Sequence, residues 1–234
     1  MKHYRSSIPK AARERVTATF TTSPQKYQAE CILNGKVVGI RRFHEAGELE
    51  FELPLKNGVR HGIQYRSEIP GKLLSAEPYS NGFPHGTARQ WSDDGTLLGS
   101  YTMKHGTGFD LWWADECGFP YLSEVRYFKD GKRHGFQWCL NADQKSVWWE
   151  SHFHNNQMHG IERSWNHLGR LHRGYPRYWV NNLRMTNRQY LRACDKDPTL
   201  PPFRETGNRP QRKFPPAIAA IVARPMACAD TLRT

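Results

Sequence analysis

A pair of residues suited to a tight turn recurs along this chain at an almost constant interval, and that interval limits the folds open to it. The pairs are Asn34-Gly35, Asn57-Gly58, Asn81-Gly82, His105-Gly106, Asp130-Gly131 and Asn155-Asn156, and their second residues are 23, 24, 24, 25 and 25 residues apart. Shortly after each pair comes a second glycine, usually behind a histidine: Gly39, His61-Gly62, His85-Gly86, His134-Gly135 and His159-Gly160, with the fourth unit shortened to Gly106-Thr107-Gly108. Half a period away lies another turn signal: Glu45-Ala46-Gly47, Pro70-Gly71, Asp93-Asp94-Gly95, Glu116-Cys117-Gly118, Asp143-Gln144 and Leu168-Gly169. Asn-Gly and Asp-Gly tolerate the positive φ of hairpin turns. Gly35, Gly58, Gly62, Gly82, Gly86, Gly106, Gly108, Gly131, Gly135 and Gly160 are therefore read as structural turn residues.

Two turns per unit leave two segments of about five to eight residues, which suits strands. Helical solenoids need longer segments, and a four-stranded propeller blade needs about 40 residues. Positions one, three and five after the second glycine alternate with more polar positions two and four. The first set includes Ile63 and Tyr65, Trp91, Leu111 and Trp113, Phe136, Trp138 and Leu140, and Ile161 and Trp165, with Ile40, Arg42 and His44 in the first unit. Such period-two alternation predicts one sheet face richer in aromatics. The expected fold is mainly β: an antiparallel meander of about six hairpins, with a short C-terminal helix and a Pro-rich arm.

The pattern NG-x-x-HG, followed by an aromatic residue and a second Gly turn, resembles the MORN repeat. More closely, it resembles the variant found in YwqK-type bacterial antitoxins. The resemblance covers about residues 31–172. It departs in the first unit, which lacks the His, in the shortened fourth, and in the sixth, where Asn156 replaces Gly. The resemblance implies an elongated meander in which each hairpin pairs with the next, and a toxin as partner, neutralised by occlusion.

Charge divides the chain further. The net charge is +12. Residues 1–30 carry six Lys/Arg against two Glu, residues 173–234 carry twelve against four Asp/Glu, and residues 31–172 carry sixteen of each. The expected organisation is a basic, partly disordered N-terminal segment (1–30), a hairpin repeat domain (31–183), and a capping helix with a basic Pro-rich tail (184–234). Thr186 reads as an N-cap with Gln189 at N3, a capping box, and Met185 and Tyr190 as a hydrophobic staple. This helix ends before Pro198. The arm through Leu200, Phe203 and Phe214 is expected to cap the last hairpin or cover the aromatic face. The apolar run 217–222 receives no assignment.

No apolar run reaches the roughly 18 residues of a membrane span, and no secretory leader is visible. The five cysteines, Cys31, Cys117, Cys139, Cys194 and Cys228, form no CxxC pair, which suggests a reducing, cytoplasmic setting. No P-loop, nucleophile elbow or dinucleotide fingerprint occurs. Asp93-Asp94 and Asp115-Glu116 fall in expected turns. His152 and His154 share a strand face, but spacing supplies no third metal ligand. The sequence therefore points to no enzyme, cofactor or metal. The candidate partner-binding residues are Trp91, Trp112, Trp113, Trp138, Trp148, Trp149 and Trp165. In each neighbouring Trp pair one ring must point to each face, and exposed aromatics on a rigid sheet anchor protein partners. The expected function is a protein-interaction module, antitoxin- or immunity-like. The alternatives are binding of acidic membrane or nucleic acid through the basic flanks. Carbohydrate or choline binding in aromatic hairpin cavities is weaker.

Overall fold

The computed structural model describes residues 3–116 and 118–223. Cys117 and Cys228, two of the five cysteines, lie outside the described residues, as does the tail from 224. The fold is mainly β and antiparallel. It falls into two compact units, Met1–Gly106 and Thr107–Thr234.

The first unit is a ten-stranded sheet. Its strands are β1 (Arg13–Thr19), β2 (Lys26–Leu33), β3 (Lys36–Phe43), β4 (Leu49–Lys56), β5 (Val59–Arg60), β6 (Gly62–Arg66), β7 (Ser75–Ser80), β8 (Phe83–Pro84), β9 (Gly86–Trp91) and β10 (Leu97–Met103). They pair in the order β1-β2-β3-β4-β6-β7-β9-β10, with β5 on β4 and β8 on β7. Residues 13–30, expected as a flank, thus supply β1 and most of β2. The second unit is an eight-stranded sheet of β11 (Gly108–Glu116), β12 (Phe119–Lys129), β13 (Lys132–Leu140), β14 (Val147–His154), β15 (Gln157–Met158), β16 (Gly160–Ser164), β17 (Arg177–Val180) and β18 (Leu183–Met185). Its order is β11-β12-β13-β14-β16-β17-β18, with β15 on β14. Asp115 and Glu116 end β11 rather than sit in a turn, opposite Pro120 and Phe119.

Both residues of every predicted turn pair have positive φ, from Asn34 at 48° and Gly35 at 73° to Asn155 at 50° and Asn156 at 70°. Two consecutive positive φ values define the hairpin turn whose twist matches the strands. A seventh pair, Asn181 at 50° and Asn182 at 65°, joins β17 to β18. The repeats therefore continue one unit past the region of the resemblance. Successive turns are also bonded to one another. The second N–H of a turn donates to a carbonyl of the preceding unit: Gly82 to Arg60 and Gly106 to Pro84 at 2.8 Å, Asn156 to Arg133 at 3.0 Å, and Asn182 to Met158 at 2.9 Å.

The predicted positions of the aromatic stripe share a face in all units but the first, although in the third only Trp91 is buried, while Thr87 and Arg89 are exposed. In the first, Gly39, Arg41 and Phe43 occupy the face expected for Ile40, Arg42 and His44. One residue, Val38, is extra between the pairs Ile32–Val37 and Cys31–Gly39. In the next unit, two residues are extra between Leu55–Arg60 and Glu52–Tyr65. A difference of one residue moves every later side chain to the other face.

Flanking segments seal this stripe in both units. In the first, residues 3–8 lie across it. His3 stacks on Trp91 at 5.3 Å, and Tyr4 meets Tyr65 edge-on at 4.9 Å. A Cβ on Gly39 would stand 2.2 Å from Ile8 Cδ1, so a side chain here would displace Ile8 where the strap crosses the strand. The fully buried Glu52 carboxylate accepts from Tyr4 Oη (2.6 Å), Ser6 Oγ (2.8 Å) and Arg41 Nε (2.8 Å). Burial and the Glu52 bond push the Tyr4 phenol up to about 12.

In the second unit the cover is the C-terminal arm. Thr186 caps helix α1 (Asn187–Cys194), with the reciprocal bonds Gln189 N to Thr186 Oγ1 (3.3 Å) and Thr186 N to Gln189 Oε1 (2.9 Å). Tyr190 is buried with Ile161, Tyr178 and Leu200, and Met185 packs against this cluster. The unassigned apolar run forms helix α2 (Pro216–Val222), which buries Ile218. Between the helices, Phe214 meets Trp138 edge-on at 5.5 Å, and Trp165 Nε1 donates to Asn208 O at 2.7 Å. Beneath the arm the buried Glu150 carboxylate accepts from Trp138 Nε1 (2.8 Å), Arg163 (2.8 Å) and Arg212 Nε (2.6 Å).

Candidate interaction face

The second sheet thus has one covered face and one to which no described arm contact goes. The arm's hydrogen bonds and ring contacts reach Trp138, Glu150, Arg163, Trp165 and Tyr178 on one face, or His159 and the 145–147 segment at the sheet margin. The opposite face is built by the alternate residues. Registers place Trp112, Glu124, Cys139, Trp149 and Ser164 in one cross-strand row. Asp110, Arg126, Gln137 and Ser151 form the row beside it, with Glu162 and Arg177 at its β16–β17 end.

This face is a chain of ion pairs and indole donors. Arg126 bonds both oxygens of Glu124 and lies 3.6 Å from Asp110. Gln137 Nε2 donates to Glu124 at 2.5 Å. Trp149 and Trp179 both donate their Nε1–H to Glu162, at 3.4 and 3.0 Å. Four buried polar atoms on the same face have no hydrogen-bond partner among the described residues: Trp112 Nε1, Gln137 Oε1, Ser151 Oγ and Arg177 Nε. Ser151 has no exposed surface, and Gln137 is 8 % exposed. Leaving a buried donor or acceptor unpaired costs about 1–3 kcal/mol. Burial pushes the neighbouring Cys139 thiol up to about 12, which keeps it protonated and unreactive.

The seven candidate tryptophans divide sharply. Trp91, Trp138 and Trp165 are buried under the flanks and unavailable to a partner. They fill the stripe because it needs large apolar side chains and the flanks seal it. Trp113 follows Trp112 and faces the covered side, half-buried. Trp148 is the extra residue of a bulge between the pairs Cys139–Trp149 and Leu140–Val147, and is 48 % exposed. Trp112 and Trp149 lie on the open face. Trp179, absent from the candidate set, joins them there through Glu162. Its signal was the Asn181-Asn182 pair, which marks one more hairpin.

The histidines of the second-glycine motif have a structural task. Nδ1 of His61, His85 and His159 accepts the backbone N–H of the next turn, from Asn81 (3.4 Å), His105 (3.2 Å) and Asn181 (3.2 Å). In the shortened unit, Thr107 Oγ1 takes that place and accepts from Asp130 N at 3.0 Å. Where Asn replaces the turn glycine, its side chain ties back: Asn156 Oδ1 accepts from Arg133 N, and Asn182 Oδ1 from Met158 N, both at 2.7 Å. His152 Nδ1 donates to His159 O at 2.6 Å. No group of three or more His, Cys, Asp or Glu side chains among the described residues is arranged to hold a metal ion. No described helix is long and apolar enough to cross a membrane.

An accepting Nδ1 requires a neutral ring, and at His159 burial favours that form. Burial lowers the affinity of His134, His152 and His159 for a proton; Asp197 opposes this at His159, while His154 reinforces it. Folded values below the unfolded value of about 6.5 mean that the native state binds fewer protons. This contribution is complete above the unfolded value and declines as pH falls through it. Urea midpoints are therefore expected to drop between pH 7.5 and about 5.5, and to drop less in His159→Gln.

No protein-family model matches the chain. No curated protein matches it either.

Proposed function

We propose that the chain is a non-enzymatic binding module that takes a protein partner across the open face of its second unit. The observation that carries this reading is the placing of three half-buried indoles, Trp112, Trp149 and Trp179, on the sheet face that the arm leaves uncovered. Large aromatics with polar edges supply most of the energy at protein interfaces. The carboxylates that could serve catalysis are already committed: Glu52 to Tyr4 and Arg41, Glu150 to two arginines, and Glu162 to two indoles. The likeness of the repeats to YwqK-type antitoxins makes a toxin the partner, bound and occluded.

The test is capture of the partner from cells by the full chain, followed by mass spectrometry. Trp149→Ala is expected to reduce capture about thirtyfold, the loss of roughly 2 kcal/mol typical of a binding hot spot. Capture should survive about 0.5 M salt, where the screening length falls to only a few ångströms. Capture that ignores Trp149→Ala but disappears in salt would instead favour phosphate binding through basic residues. Removing 204–234 does not separate these readings, because Asn208, Arg212 and Phe214 hold the sheet's covered face.

A further inference from the structure

The strap of the first unit ends short of the hairpin tips. Ile8 packs over Gly39, which is paired with Pro54 across β3 and β4. Pro9 then turns the chain away, its carbonyl accepting the Ala12 N–H at 3.0 Å. Strands β3 and β4 run on to the tips Asn34-Gly35 and Asn57-Gly58, and between the strap and these strand ends lies an open cleft of about 640 Å³. Small-molecule sites usually enclose about 300–1,000 Å³. The walls are mainly apolar, from Pro9, Val37, Val38, Pro54 and Leu55.

The fixed charge at this cleft is of one sign: Lys36 and Lys56 line it, and no Asp or Glu does. Both lysines are exposed. The ion pairs of the first unit engage Arg15, Lys26, Arg41 and Arg42, which leaves Lys36 and Lys56 without one among the described residues. Neutral side chains at the cleft add donors. Ser7 Oγ accepts the Ile63 N–H at 3.0 Å, so its own O–H is left to donate. His61 Nδ1 accepts from Asn81, which places the ring proton on Nε2.

We propose that this cleft binds a small amphiphilic anion, with its headgroup at Lys36 and Lys56 and its apolar body against Val38, Pro54 and Leu55. A lysine ammonium is a compact point charge rather than a planar fork, so carboxylate and phosphate heads share the required chemistry. Two solvated ammoniums hold an inorganic anion weakly; burial of an apolar body against the walls supplies the rest. The site lies wholly in the first unit and is independent of the open face of the second.

The test follows the amide chemical shifts of the isotope-labelled full chain during titration with octanoate, octyl phosphate, octan-1-ol and octylammonium. Both anions are expected to give saturable shifts at residues 36–38 and 54–58, with the alcohol and the amine at least about tenfold weaker. Affinity should rise roughly three- to fourfold per added methylene from hexanoate to octanoate. Lys36→Glu and Lys56→Glu each weaken octanoate at least about tenfold, and urea midpoints check that these variants are folded. Octan-1-ol that matches octanoate, or octanoate indifferent to both lysine variants, overturns the anionic head. Inorganic phosphate that binds as tightly as octyl phosphate overturns the apolar body. Shifts confined to other residues, or no shifts at millimolar ligand, overturn the site itself.

Discussion

Glu150→Ala is expected to destabilise the second unit by about 3–5 kcal/mol, the range for removing one partner of a buried ion pair. The carboxylate is 3 % exposed and sits between two guanidiniums, Arg163 at 6 % and Arg212 at 11 %. It also receives the Trp138 indole N–H. Alanine leaves the indole without its acceptor and both buried cations without a counter-charge, with only Asn208 Oδ1 left to Arg163 and backbone carbonyls such as Gly207 O left to Arg212. Arg163 is already strained in this sense, since burial lowers its affinity for a proton despite Glu150. Glu150→Gln keeps the volume and one carbonyl acceptor, and should lose less. Urea titration reads both, and the midpoint should fall with little change of slope. Because Arg212 belongs to the arm, the alanine variant should also release residues 204–214 to proteolysis before the sheet melts.

The second large effect is at Gly160. Its φ of 150° is one that side-chain-bearing residues rarely adopt, and a Cβ there would stand 2.6 Å from His152 Cβ and 3.0 Å from Pro201 Cγ. Gly160→Val combines backbone strain with overpacking, together about 3 kcal/mol. Gly58→Ala is the matched comparison, with φ of 79° and nothing within 4 Å of a Cβ. It carries only the left-handed penalty, roughly 1–2 kcal/mol. Equal losses at the two glycines would show that His152 and Pro201 do not crowd Gly160.

Much of the hairpin ladder was legible because turn chemistry is local. Asn34-Gly35 and its successors need positive φ whatever surrounds them, and the capping box at Thr186 and Gln189 closes within one helical turn. The parity of the stripe was legible from Ile63 onward, where two extra residues after the turn keep the later side chains on the same face. It failed in the first unit, where the count of extra residues drops from two to one and Arg41 replaces Arg42 on the covered face. Which tryptophans would be free was not legible. Trp91, Trp138 and Trp165 look the same in sequence as Trp112 and Trp149; what separates them is long-range cover by His3, Phe214 and Asn208. The histidines carried a signal that sequence reading left as turn composition. Their Nδ1 bonds to the following turn explain why the motif repeats, and Thr107 and Asn156 show which other side chains supply equivalent ties.

Residues 3–8 cover one face of the first sheet, and the C-terminal arm covers one face of the second, as expected of it. Hydroxyl-radical footprinting of the free, full-length protein tests this directly, with oxidation resolved at each tryptophan. The account predicts slow oxidation of Trp91, Trp138 and Trp165, and faster oxidation of Trp112, Trp148 and Trp149. Trp138 and Trp165 oxidised as fast as Trp148 would contradict it, since the face assigned to the arm would then be open to solvent.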